Sequence, residues 1–201
     1  MRTQHLLVAA VIGVLAMGEP GSADDRPIDI ERSTVTVRVF KAGLFRAFAD
    51  NHIVQAPLAD GSLDDSATPR VRIEIDARRL RVLDPGLSEK DRHQVQTRML
   101  GPDVLDADRF ERISFQSTAI QPLALGRWLV RGELELRGRI RGILFNVRDE
   151  NGRYKGSATV KQTDFGISPI SIVGGTVRVK DEIQVDFDVA TTERAFVRAD
   201  R

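Results

Sequence analysis

The residues of this chain that could do chemistry are few and far apart. Its 201 residues include no cysteine and three histidines, His5, His52 and His93. Without cysteine there can be no disulfide, thiolate metal site or cysteine nucleophile. Asp50 and His52 alternate onto one strand face and offer two metal ligands, where a closed site takes about four. No metal centre is expected from that pair, and a metal-dependent hydrolase built on it is the weakest reading of the chain. Ser114 or Ser117 as a nucleophile would need His52 or His93 as base, and no spacing links them. The paired carboxylates Asp24-Asp25 and Asp64-Asp65 stand in terminal or loop-like contexts, where such pairs are solvated. Asp164-Phe165-Gly166 has neither the glycine-rich phosphate loop nor the catalytic loop that give this tripeptide meaning in kinases. The expectation is a protein that binds and does not catalyse.

Composition narrows the ligand. Thirty Lys and Arg face 29 Asp and Glu, a net charge of +1, which argues against nucleic acid as partner. Aromatic residues are 5% of the chain, too sparse for a platform that stacks bases. At the amino terminus, Met1–His5 carries Arg2, Leu6–Met17 is apolar, and Gly21-Ser22-Ala23 offers small residues before a cut at Asp24. That is the layout of a cleaved secretory signal over residues 1–23. The apolar run holds about a dozen residues, against the roughly 20 that a membrane span requires. Residues 24–201 are then expected to fold as one domain, in the periplasm or outside the cell, with no integral membrane segment. Lacking cysteine there, the domain relies on packing alone.

The elements that must position these residues read as strands. Val35, Val37 and Val39 alternate with Thr34, Thr36 and Arg38; Val71, Ile73 and Ile75 alternate with charged neighbours. In 127–137, Trp128, Val130, Gly132, Leu134 and Leu136 face one way and five charged residues the other. Ile183, Val185, Phe187 and Val189 repeat the pattern. One apolar and one charged face per strand means an antiparallel sheet with one side in water. Asn151-Gly152 marks a hairpin, and a change of phase near Gly142 suggests a bulge or kink. One helix is expected between a Ser88 N-cap and the stop at Gly101-Pro102, presenting Val95, Met99 and Leu100. About eight strands, near 34–40, 50–56, 70–77, 112–118, 127–137, 141–149, 153–163 and 177–190, predict an all-β, up-and-down barrel covered by that helix. A barrel of this size holds its own side chains or one small ligand.

Four stretches carry a family resemblance. Ser88–Ser117, SEKDRHQVQTRMLGPDVLDADRFERISFQS, resembles the helix-then-strand segment of the YceI-like family. Val130–Gly142, VRGELELRGRIRG, and Thr163–Ile167, TDFGI, continue it in the same order. Lys41–Gly61, KAGLFRAFADNHIVQAPLADG, resembles the amino-terminal segment of one branch. That branch often carries two histidines flanking an acid where this chain reads Asp50-Asn51-His52, so only His52 matches. The resemblance implies a periplasmic or secreted, lipocalin-like barrel whose interior holds a long isoprenoid chain. It implies a bound isoprenoid lipid or quinone as ligand and no cofactor; whether two copies pair stays open.

An isoprenoid site needs apolar walls and vacant volume. Phe115, Trp128, Phe145 and Phe165 are the wall candidates. Gly132, Gly156 and Ala158, small and inward on the strands flanking Phe145, either open volume beside it or are filled from across the barrel. Phe165, Ile170 and Ile172, in the glycine-bracketed loop 165–175, either line a pocket mouth or tuck against the barrel end. Phe45 and Phe48, near Lys41, Arg46 and His52, form either a mouth where His52 or Lys41 meets a headgroup or a plug with His52 hydrogen-bonded inside. The competing reading is an exported stress-related or protein-interaction module with a filled barrel and no lipid.

Overall fold

The computed structural model describes residues 25–42, 52–172 and 177–192. Alternation does produce strands: β1 (Asp25–Pro27), β2 (Thr34–Ala42), β3 (His52–Gln55), β4 (Leu58–Asp64), β5 (Arg70–Asp76) and β6 (Arg81–Val82) precede helix α1 (Glu89–Leu100). After it come β7 (Arg112–Ala124), β8 (Arg127–Leu136), β9 (Arg139–Glu150), β10 (Arg153–Lys161), β11 (Ser171–Ile172) and β12 (Val177–Ala190). Eleven of them form one sheet in the order β1-β4-β5-β7-β8-β9-β10-β12-β2-β3-β6, and β11 pairs on β12. The pairings are antiparallel, and the sheet curls until its first strand meets β12. Ile28 bridges Thr191. Asp29 N–H donates to Ala190 O at 2.9 Å, and Thr192 N–H to Pro27 O at 3.0 Å.

The expected eight strands are exceeded because β1, β6 and β11 span only two or three residues, too few to show a period. β4 was missed for another reason: its register against β5 shifts between Leu58 and Asp60, and that extra residue resets the alternation. The bulge expected near Gly142 is corrected. β8 and β9 pair without a break from Arg127↔Arg148 to Leu136↔Arg139. Arg139 and Arg141 stand opposite Leu136 and Leu134, so they occupy the inward side at the barrel end, while Ile140 and Leu144 face out. The change of phase marks that end, not a kink.

Turn and helix chemistry act as read. Asn151 (φ 57°) and Gly152 (φ 79°) both take the left-handed conformation a two-residue hairpin requires. Just before that turn, Glu150 accepts from Arg148 at 2.5 Å and meets Lys155 Nζ at 2.9 Å. These contacts hold its carboxyl down to about 2. A depressed folded value means that any stabilisation is present above the ordinary carboxylate range and lost as pH falls toward 2. Carboxyl NMR titration should place Glu150 well below the ordinary glutamate range, and Arg148→Ala should return it most of the way.

In α1, Ser88 Oγ accepts from Asp91 N–H at 3.1 Å, and the helix stops at Gly101. Val95, Met99 and Leu100 pack half-buried on the core. Gln96 ties the helix to the sheet edge: its Oε1 accepts from Val82 N–H and its Nε2 donates to Leu80 O, both at 2.8 Å. Leu80 and Val82 are buried, so Gln96→Leu strands two backbone groups at roughly 1–3 kcal/mol each. Thermal melting should show a loss of several degrees in Tm. Among the described residues no helix is long and apolar enough to cross a membrane.

Candidate functional site: an apolar cavity inside the barrel

Inward positions of the strands build the site. Val37 and Val39 on β2, Val71 and Ile73 on β5, Phe145 on β9, and Ile183, Val185 and Phe187 on β12 all face the barrel axis. Most of them are only half-buried, because the space they face is not filled by other side chains. That space is a cavity of about 500 Å³, within the size range of small-molecule sites.

Three phenylalanines form a row on one wall. Phe115 and Phe145 lie 5.4 Å apart between ring centroids, as do Phe145 and Phe187. The strands between them contribute Gly132 and Gly156, and the expectation that these glycines could leave volume beside Phe145 is corrected. A Cβ at Gly132 would overlap the Phe115 ring and the Gln116 carbonyl oxygen. A Cβ at Gly156 would overlap the Phe187 ring and the Asn146 carbonyl oxygen. Each glycine is thus the seat of a ring leaning in from the neighbouring strand. The vacant volume lies in front of this row.

The two ends of the cavity differ. At one end Met99, Val104, Leu105, Ile167 and Gln162 border it, and Leu105, Ile167 and Gln162 are buried. The Gln162 amide is occupied there, donating to Lys180 O at 2.8 Å. At the other end stand Asp64, the last residue of β4, and Asp65, Ser66 and Pro69 from the β4–β5 connection, with Trp128, Tyr154 and Thr191. Asp65 is exposed, so this is where the cavity reaches water. Arg26, directly across from the inward-facing Leu63, reaches Asp65 Oδ2 at 3.0 Å and donates to the Tyr154 hydroxyl at 3.3 Å. The backbone N–H of Ser66 donates to Asp64 at 2.9 Å. That bond, helped by the Ser66 hydroxyl and Arg70, holds the Asp64 carboxyl below its ordinary value. The rim is polar and the bore is not.

Of the residues singled out in the sequence, Phe115, Trp128 and Phe145 border the cavity. Phe165 does not; it is 1% exposed in the closed-end core, in a short 3-10 turn, Gln162–Phe165. Ile170 is half-buried and its carbonyl accepts from Val179 N–H at 2.9 Å. His52 lies on β3, away from the cavity: its Nδ1 is 2.5 Å from Asp84 Oδ2. Asp84 is 2% exposed and also accepts from Ile53 N–H at 2.7 Å. Phe45, Phe48, Arg46 and Asp50 lie outside the described residues, as do residues 1–23. His93 is exposed on α1. Ser114 Oγ is bonded to Glu135 at 3.2 Å, and Ser117 Oγ accepts from Val71 N–H at 2.9 Å. Among the described residues no group of three or more His, Asp or Glu is placed to hold a metal.

Arg26, Tyr154 and Asp84 were not foreseen. Tyr154 is the single tyrosine of the chain and follows the Asn151-Gly152 turn, which was signal enough to place it at a barrel end. Arg26 and Asp84 carry no spacing signal, since their partners lie 128 and 32 residues away.

A curled antiparallel barrel, stoppered by a helix at one end and hollow and apolar within, defines a class of small-ligand-binding β-barrels. The chain belongs to the YceI-like domain family, whose model matches residues 27–191. No curated protein sequence matches it. Among solved structures it is similar to BcnA of Burkholderia cenocepacia, with a TM-score of 0.62 and 18% identity over 81% of this chain and 98% of that one. It is also similar to a polyisoprenoid-binding domain from Saccharophagus degradans, with a TM-score of 0.52 and 14% identity over 83% of this chain and 96% of that one. At these identities the likeness concerns the fold.

Proposed function

We propose that the protein is an exported carrier that sequesters or transports an apolar, isoprenoid-type lipid or quinone inside its barrel. The observation that carries this reading is the cavity of about 500 Å³ with an apolar bore and a polar rim. A hydrocarbon chain entering it gains about 0.8 kcal/mol for each methylene buried, against the cost of fixing the chain. Selectivity comes from bore width, and the oxygenated end of the lipid stays at the rim near Arg26 and Tyr154. Binding is non-covalent and calls for no catalytic group. Membership of the YceI-like family supports the reading, as does the polyisoprenoid binding named for the Saccharophagus domain. Export rests on the apolar Leu6–Met17 run followed by Gly21-Ser22-Ala23.

Native mass spectrometry after gentle purification tests it. A reproducible added mass, released by organic extraction as a prenyl lipid, is the expected result. Recovery of apo protein alone, with no uptake of a fluorescent prenyl-chain probe, would overturn it.

A further inference from the structure

The tip of the β7–β8 hairpin exposes four apolar residues in a row, Pro122, Leu123, Ala124 and Leu125. Leu123 is 54% and Leu125 fully exposed. A run of this kind on a soluble surface costs solubility unless it serves a contact. The hairpin belongs to the open end of the barrel: Trp128, paired across it with Pro122, borders the cavity there together with Ile120.

The same stretch is poorly built for adding a strand. β5 accompanies β7 only as far as Gln116, which leaves the rest of β7 an edge. Pro122 has no N–H to offer, and the β7–β8 register shifts twice, between Ser117 and Ala119 and between Pro122 and Ala124. Proline and bulges are the devices that blunt an edge against pairing. What the tip presents to a partner is therefore side chains and not backbone. Behind it, the outer face carries the exposed cations Arg127, Arg131 and Arg148. Arg148 is paired with Glu150, while Arg127 and Arg131 make no ion pair among the described residues. An apolar tip backed by cations matches a bilayer surface with anionic headgroups.

We infer that the β7–β8 tip docks the barrel on an anionic lipid bilayer, inserting Leu123 and Leu125 so that the open end of the cavity faces the membrane. Its purpose rests on the carrier reading, because a lipid passing between bilayer and bore then avoids water. Its test does not.

The full chain is incubated with vesicles of phosphatidylethanolamine and phosphatidylglycerol, and partitioning is read by flotation. Every sample has the same amino terminus, so differences between variants report the barrel. Leu123→Ser with Leu125→Ser should lower partitioning about tenfold or more. Ile140→Ser, at an apolar residue as exposed as Leu123 but at the other end of the barrel, should change it less than about twofold. Arg127→Glu with Arg131→Glu should weaken binding to these vesicles and leave the weaker binding to pure phosphatidylcholine unchanged. Uptake of the prenyl-chain probe, dispersed in detergent, is measured on the same variants and should not move. The docking inference is overturned if the leucine pair leaves partitioning unchanged, or if Ile140→Ser lowers it as much. Failure of the unaltered protein to take up the probe would count against the carrier reading alone.

Discussion

Ala158→Phe is expected to abolish uptake of a prenyl lipid while leaving the barrel folded. Ala158 sits on β10 opposite Val185, borders the cavity and is almost fully buried. In a close-packed core, adding a ring at such a position would cost roughly 1–3 kcal/mol through strain. Here the ring projects toward the cavity that Ala158 borders, into space that a lipid bound there would occupy. Affinity for the prenyl probe should fall on the order of 100-fold, about 2.8 kcal/mol. The Tm should stay within a few degrees of the unaltered protein. An unchanged affinity would place the lipid elsewhere; a collapsed Tm would mean that the volume at Ala158 is not free.

Asp84→Ala should do the reverse, destabilising the fold and sparing the cavity. Asp84 is a buried carboxylate that joins β3 to the segment after β6 through His52 Nδ1 and Ile53 N–H. Its loss leaves both donors without their acceptor inside the protein, a change on the order of 3 kcal/mol. In urea the midpoint should move down without a change of slope, and the Tm should fall by roughly 6–12 °C. Prenyl affinity, measured where the variant is still folded, should match the unaltered protein, because neither His52 nor Asp84 borders the bore. If His52 gripped a headgroup, affinity would drop with the bond that orients it. Equal stability of Asp84→Ala and the unaltered protein would refute the structural role.

Local rules carried most of the architecture. Ser88 capped its helix, and Asn151-Gly152 made its turn, because each depends on backbone geometry within a few residues. The alternating runs became strands because one face had to be buried. What was not legible depends on register. β4 was hidden by its own bulge, and Arg139 and Arg141 could be placed only once β9 was aligned on β8. The site shows the same limit more sharply. Alternation identified Phe145, Gly132 and Gly156 as inward, but whether a glycine leaves a hole depends on where a ring on the next strand leans. Phe115 lies over Gly132 although the residue directly opposite that glycine is Ser117. Alternation left open whether these positions face vacant volume or a filled interior, and the lean of the rings decides it at each glycine.

The closure of the barrel has a topological consequence. Ile28 and Thr191, near the two ends of the described chain, are neighbours, and they meet at the rim. A short peptide could join Asp25 to Thr192, and the ring could be reopened at the exposed Asn151-Gly152 turn. Such a circular permutant would retain the strand pairs while moving both new termini to the β9–β10 turn. A partner fused directly at Asp25 or Thr192 would sit beside the open end of the cavity. In the native chain order, β1 begins at the rim where the cavity opens.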